Sequence, residues 1–273
     1  MHCIQDCIPK AFLLTEQELE KVEMIAKDVG YYPRTGRSPI EPKNVLQALY
    51  YLIRTGMQWG ALPRCFGCHS TLHAAFQRLR ELGFFENFFL EGLDEYEKKI
   101  GLDRSRRVGD CSHAKSPLGQ DSVGPSPVDR RKQGTKRSII TDGNGILLGC
   151  FIAGGNKNDS KLLQQTIESI PQQFQSDGNQ ECWLDAIYDT EEVRTICFNY
   201  GLKPRISRNK HRKLIEPIRP ISKGVRWVVE RTHSWINRFR RILIRFDKLT
   251  DNYLACIKFA AAIITFRRSR VSG

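Results

Sequence analysis

Two apolar, β-branched runs at 138–141 and 146–152 flank the tetrapeptide Asp142-Gly143-Asn144-Gly145. Such a sequence supplies the positive φ angles of a tight reversal, so it predicts a β-hairpin, the strongest such signal in the chain. Its neighbours limit what that hairpin can belong to. A short strand at 107–111, with Asp110 near its end, precedes it, and a Gly/Pro/Ser-rich basic loop reaches to about residue 136. Downstream come a helix beginning at Asp159 or Ser160 and stopped by Pro171, and a strand at 181–185. A helix at 190–200 closed by Gly201 and a strand at 203–207 follow. A long helix at 223–246 and a small-residue helix at 252–267 end the chain.

The order is therefore strand, strand, strand, helix, strand, helix, strand, helix. A hairpin-linked meander that passes into α/β crossovers matches a ribonuclease H-like fold. The first hundred residues read differently, as helices only. Thr15 and Glu18 form a capping box ahead of Leu19, Val22, Ile25, Ala26 and Val29. Pro42 suits a first helical turn, Val45, Leu46, Leu49, Leu52 and Ile53 form a stripe, and Gly56 is a natural stop. Ser70 caps a third helix that carries Arg78 and Arg80 outward and ends at Gly83. An acidic and aromatic helix occupies 84–99. The expected organisation is an all-α, helix-turn-helix-like DNA-binding domain over 1–99, followed by an α/β ribonuclease H-like catalytic domain over 100–273.

Charge is distributed unevenly along this plan. From Lys203 to Arg245 stand fourteen Lys and Arg against two acids, Glu216 and Glu230, which accounts for +12 of the net +13. A pI near 9.4 with clustered charge favours a polyanion, nucleic acid first. The longest apolar stretch, 254–266, is interrupted by Lys258 and too short to cross a bilayer, and the N terminus does not read as a signal peptide. Nine cysteines, mostly within apolar runs, suit reduced thiols in a cytoplasmic protein.

In the expected fold Asp110 and Asp185 end neighbouring strands. Two carboxylates held side by side repel each other unless a cation lies between them. On the following helix, at about 100° per residue, Val228, Trp235, Phe239 and Ile242 form the inward stripe. Glu230 then points away from it with Arg226, His233, Ser234 and Asn237. Three carboxylates suit Mg²⁺, with Mn²⁺ as its substitute, and a pair of such ions suits phosphodiester cleavage or transfer. Aspartates at strand ends also serve as turn or cap residues, and Asp142 or Asp189 fits the composition equally well. Arg226 reads equally as an ion-pair partner of Glu230. His113 and His233 read as plain polar residues of a loop and a helix face. Cys65-Phe66-Gly67-Cys68-His69 has the spacing of a haem attachment motif, and with His73 that of a zinc site, but its compactness argues for coincidence.

Several segments together carry a family resemblance. They are L-T-E-Q-E-L at 14–19, R-T-G-M-Q-W at 54–59 with L-P-R at 62–64, and G-D-C-S-H at 109–113. P-V-D-R-R-K-Q-G-T-K-R, T-D-G-N-G-I-L-L, G-G-N-K-N-D, W-L-D-A-I-Y-D and R-W-V-V-E-R-T followed by R-F-R-R come after in order. This chain resembles bacterial insertion-sequence transposases of the DDE type, close to the insertion-sequence-five group. The resemblance implies Asp110, Asp185 and Glu230 as catalytic and metal-binding residues. It also implies cutting at terminal inverted repeats and joining of the released 3′ hydroxyl to target DNA. Double-stranded DNA is the implied partner, with a homodimer in the DNA complex, no membrane, and a place in the bacterial cytoplasm at the nucleoid. The basic residues expected to hold DNA are Arg78, Arg80, Arg130, Lys136, Arg226, Arg231, Arg238, Arg240 and Arg241. The chain departs from the family pattern at Ala186-Ile187, where Arg-Gly is usual, at Lys223, where a Tyr often stands, and at Asn237, where a Lys or Arg is common. The alternative is a catalytically inactive DNA-binding relative or a regulator of transposition.

Overall fold

The computed structural model describes residues 4–33, 35–36, 38–207 and 223–271. Within the basic run, Arg208, Lys210, Arg212, Lys213, Glu216 and Arg219 lie outside the described residues, as does the side chain of Arg226. In chain order the helices are α1 (Ile4–Cys7), α2 (Glu16–Asp28), α3 (Pro42–Thr55), α4 (His69–Glu81), α5 (Phe84–Lys99), α6 (Leu163–Glu168), α7 (Glu191–Asn199), α8 (Lys223–Asn237), α9 (Arg240–Leu243) and α10 (Thr250–Val271). The strands are β1 (Arg106–Lys115), β2 (Gly124–Pro125), β3 (Gln133–Thr141), β4 (Leu147–Gly154), β5 (Gln180–Leu184) and β6 (Leu202–Ile206). Two compact units result, one of Met1–Lys99 with Ile236–Gly273, the other of Ile100–Trp235.

The helical unit forms where apolar residues recur at helical spacing. Thr15 Oγ1 accepts from Glu18 N at 3.3 Å while Glu18 Oε2 accepts from Thr15 N at 2.9 Å, so both partners of the capping box are in place. Helix α3 starts on Pro42 and closes on Gly56 in the left-handed region, φ +77°. Helix α4 begins two residues earlier than Ser70 predicts, with Cys68 as its N-cap residue. The larger correction concerns the C terminus. Residues 236–273, expected to complete the second domain, belong to the helical unit. The physical reason is their composition: between Tyr253 and Phe266 α10 is apolar or small on nearly every side, Lys258 excepted, which makes this stretch a buried helix and not a surface one. A Cβ on Gly92 of α5 would stand 3.3 Å from Ala262 Cα, and Phe88 meets Phe259 and Phe266 with ring centroids 5.4 and 5.3 Å apart. Arg267 then reaches the fully buried Glu18 at 2.9 and 3.1 Å and Tyr50 Oη at 2.7 Å.

The second unit is built on one mixed sheet, in the order β4-β3-β1-β5-β6, with β2 paired to the start of β3. Strand β3 runs antiparallel to both its neighbours β1 and β4, whereas β5 and β6 lie parallel to β1. The hairpin forms where the sequence predicts it. Asp142 is buried, and its carboxylate accepts N–H bonds from Ile146 at 2.7 Å, Asp103 at 2.9 Å and Asn144 at 3.0 Å, while Gly145 takes φ +81°. Strand β1 runs on to Lys115, well past the expected end, because 112–115 find partners in 134–137 of β3.

Side-chain alternation gives the sheet two distinct faces. On one, Ser138 accepts from Thr166 of α6 at 2.7 Å, and Cys182 lies against Cys197 of α7. On the other lies α8, whose Thr232 Oγ1 donates to Gly145 O at 2.6 Å and whose Arg231 Nη2 donates to Asn144 O at 2.6 Å. Helix α8 thus docks on the hairpin turn. It does not continue to 246 as expected: it stops at Asn237, and buried Phe239 turns extended at φ −91°, ψ 100° before α9.

Candidate active site

Strands β1 and β5 pair in parallel as Arg106↔Glu181, Arg107↔Cys182 and Val108↔Trp183. Two residues further along each strand stand Asp110 and Asp185. Equal register gives the two aspartates the parity of Val108 and Trp183, so both belong to the α8 face. The strands lie close here, since a Cβ on Gly109 would meet Leu184 Cδ2 at 2.8 Å. Asp185 ends its strand half-buried and caps the next turn, accepting from Ile187 N at 2.6 Å. The departure from the family pattern at Ala186-Ile187 falls within this turn. Ile187 is not among the residues with positive φ, and its side chain is 49% exposed, away from the packed interior.

Helix α8 brings His233 to the same face. Its Nε2 lies 3.8 Å from Asp110 Oδ2, with the His side chain 10% and the Asp side chain 25% exposed. Burial, with Arg137 nearby, pushes the His233 pKa down to about 3, so the imidazole is neutral. This corrects the expected helix geometry: Val228, Val229, Thr232, His233 and Ile236 face inward, while Trp235 is only half-buried. Glu230, one turn before His233, is exposed. Sequence reasoning grouped His233 with Glu230 through their three-residue spacing but missed its burial.

Asp110, Asp185 and Glu230 offer hard oxygen donors, which suit Mg²⁺ or Mn²⁺ in chemistry. Among the described residues, however, no three His, Cys, Asp or Glu side chains gather into a group that could hold a metal ion. The sheet aligns the two aspartates, and the glutamate stands exposed on α8, so the three do not close into one cluster. The other acids considered have structural duties. Asp142 holds the hairpin turn, and burial raises its pKa to about 6 against the pull of its three backbone donors. Asp189 is fully buried in its side chain and pairs with Arg194 at 2.7 Å. His113 lies in β1, half-buried, its pKa lowered by burial and then by Lys136.

The expected DNA-holding residues divide sharply. Arg78, Arg130, Arg238 and Arg240 are exposed, with Arg78 over the Tyr31 ring at 5.3 Å. The other four described residues are engaged within the protein. Lys136 is buried, donating to Lys157 O at 2.6 Å and pairing with Asp159. Arg80 donates to Asn252 Oδ1 at 2.7 Å. Arg231 stacks between Trp227 and Trp235, 4.7 and 4.9 Å from their centroids, and Arg241 is buried against Asp247. These four charges are thus spent on bonds within the protein.

A mixed sheet with aligned aspartates, preceded by a helical segment, defines a class that comparison with known proteins identifies. The family described as "Transposase DDE domain" matches residues 111–264, starting one residue after Asp110, and "Putative transposase of IS4/5 family" matches residues 14–89. The "Putative transposase for insertion sequence element IS402" of Burkholderia cepacia is 34% identical over 157 residues, covering 56% of this chain and 72% of that protein. The chain belongs to the DDE transposases, in their IS4/5 family. Among solved structures, the piggyBac transposase synaptic complex with hairpin DNA aligns with 96% of this chain and 74% of that one, at TM-score 0.42 and 11% identity. The Mos1 transposase paired-end complex with left transposon end aligns with 70% and 67%, at TM-score 0.27 and 15% identity. No helix among the described residues is long and apolar enough to cross a membrane.

Proposed function

We propose that this transposase cuts the terminal inverted repeats of its element and joins the released 3′ hydroxyls to target DNA, with Asp110, Asp185 and Glu230 as its reaction-centre carboxylates. The observation that carries this reading is the register that aligns Asp110 with Asp185 on the face of the sheet where α8 brings His233 within 3.8 Å of Asp110. The strand order, with an antiparallel β1, β3, β4 meander and parallel β5 and β6, supports a ribonuclease H-like catalytic domain. The helical unit, with Arg78 exposed on α4, is the proposed DNA-binding domain.

Bound divalent cations, Mg²⁺ or Mn²⁺, would neutralise charge on the attacking and leaving oxygens. The protein's part is placement. Asp110 and Asp185 stand on or at the end of neighbouring strands and Glu230 on a helix anchored to the hairpin turn, so each carboxylate is carried by a rigid element. Exposed Arg130, Arg238 and Arg240 supply charge for the phosphate backbone, independent of base sequence. Double-stranded DNA is the partner, engaged by a homodimer at the bacterial nucleoid.

The test is cleavage of supercoiled DNA carrying the element's ends, with Mg²⁺ present. Asp110→Asn and Glu230→Gln should bind the ends as the unaltered protein does while cutting at least ~10³-fold more slowly, the scale of loss for a central group of an active site. Equal cutting by these variants would sink the assignment. Binding without cutting by the unaltered protein, under either metal, would instead favour the inactive relative.

A further inference from the structure

We propose that His233 is a positioning residue of the reaction centre, its Nε2–H holding the Asp110 carboxylate through Oδ2. The inference rests on Asp110 being a reaction-centre carboxylate. His233 is 8% exposed, and its Nε2 is buried without a hydrogen bond. At 3.8 Å, Asp110 Oδ2 is beyond hydrogen-bond distance but within reach of a small side-chain adjustment. Catalytic hydrogen bonds are often long in the free enzyme and tighten when the reacting complex assembles.

The tautomer follows from charge. An imidazole lone pair aimed at a carboxylate would be repelled, so the nitrogen that faces Asp110 carries the proton. Folding alone gives no reason for a polar ring here, because a buried donor left unpaired costs about 1–3 kcal/mol and Phe would fill similar space without it. The helix that carries the ring is also anchored beside it. Thr232, its neighbour, bonds Gly145 O, and Arg231 bonds Asn144 O while stacked between two indoles. An uncharged donor orients the carboxylate without cancelling its negative charge, which a Lys or Arg at this place would do. Groups that orient metal-ligating side chains in this way typically matter by ~10–100-fold in affinity or rate.

The experiment uses the full chain with His233→Phe and His233→Gln. His233→Phe should bind end DNA and melt no lower than the unaltered protein, yet cut ~10–100-fold more slowly. Its affinity for Mn²⁺, measured by electron paramagnetic resonance without DNA, should fall by about tenfold. His233→Gln, whose amide Nε2 can donate from a similar position, should recover most of both. On the unaltered protein, ¹⁵N–¹H imidazole spectra should show the Nε2–H tautomer at His233. Unchanged cutting and Mn²⁺ affinity in His233→Phe, or an Nδ1–H tautomer, would overturn the inference. If His233→Phe does not fold, His233→Gln and the tautomer decide, and a Gln variant as slow as Asp110→Asn would count against it. Asp110→Asn separates the two levels: full cutting by it removes the underlying reading, whereas its inactivity beside a fully active His233→Phe removes only this inference.

Discussion

Arg241 donates to Asp247 Oδ1 at 2.9 Å and to Met57 O at 3.1 Å, in a pair whose side chains are 6% and 5% exposed. Arg240, one residue earlier in the same short helix, is exposed. The contrast recurs through the molecule. Arg107, Arg137 and Arg245 rank among its largest fully buried side chains, whereas Arg78, Arg130 and Arg238 face outward. A net charge of +13 therefore overstates the charge presented to DNA. What separates the two groups is whether neighbouring elements offer acceptors: a buried guanidinium needs a carboxylate or carbonyls to replace water, and an exposed one does not.

Removing one inner partner should have the largest effect on stability. Arg241→Ala leaves Asp247 buried and unpaired, for a loss of about 3–5 kcal/mol in chemical denaturation. The double replacement Arg241→Met with Asp247→Leu should recover most of it. A single variant within 1 kcal/mol of the unaltered protein would show that Arg241 behaves as a surface residue, and the inner-outer division would fail at its clearest point.

Glu95 tests the same distinction by pH. Burial alone would raise its pKa, but hydrogen bonds from Lys21 and Lys99, the charge of Lys21 and a bond from Ser269 hold it down to about 2. A carboxylate depressed in the fold adds stability that is full above its ordinary value of 4.5 and is lost as pH falls through 2. The expected contribution is on the order of 1–2 kcal/mol, less than in a dry site because water reaches the network. Denaturation between pH 6 and pH 2 should show this loss in the unaltered protein and a flatter curve in Glu95→Gln. Parallel curves would remove Glu95 from the group of structural charges.

Much of this architecture was legible in sequence because its signals are local. The hairpin rests on Asp142 and Gly145 and the capping box on Thr15 and Glu18, each within a few residues. The place of α10 was not legible: an apolar helix states that it is buried but not against which unit. The break before α9 carries no Pro or Gly, and buried Phe239, whose ring meets Tyr50 at 6.3 Å, is a tertiary feature. In the candidate site, Asp110 and Asp185 could be placed on adjacent strands because parallel pairing follows from the element order, although Asp110 lies in the middle of β1 and not at its end. Inside and outside on α8 were harder to assign, because its two indoles, the most apolar bulk on the helix, enclose Arg231 at a partly exposed edge while His233 takes an inward position. Hydrophobic periodicity alone would assign those faces the other way.

Arg240→Ala should have the smallest effect on folding and is the most direct test of the outer group. With no buried partner lost, its stability should stay within about 0.5 kcal/mol of the unaltered protein. Binding to DNA should still change, because each phosphate contact releases condensed counterions. Removing one such contact makes the plot of log binding constant against log salt shallower by about one unit, with little dependence on sequence. Titrations of end DNA and unrelated DNA across a range of salt would measure both slopes. An unchanged slope would mean that Arg240 faces solvent without meeting the backbone, and the outer group would then lose it as a DNA contact. A slope change confined to end DNA would point to base readout by Arg240, since a phosphate contact is blind to sequence.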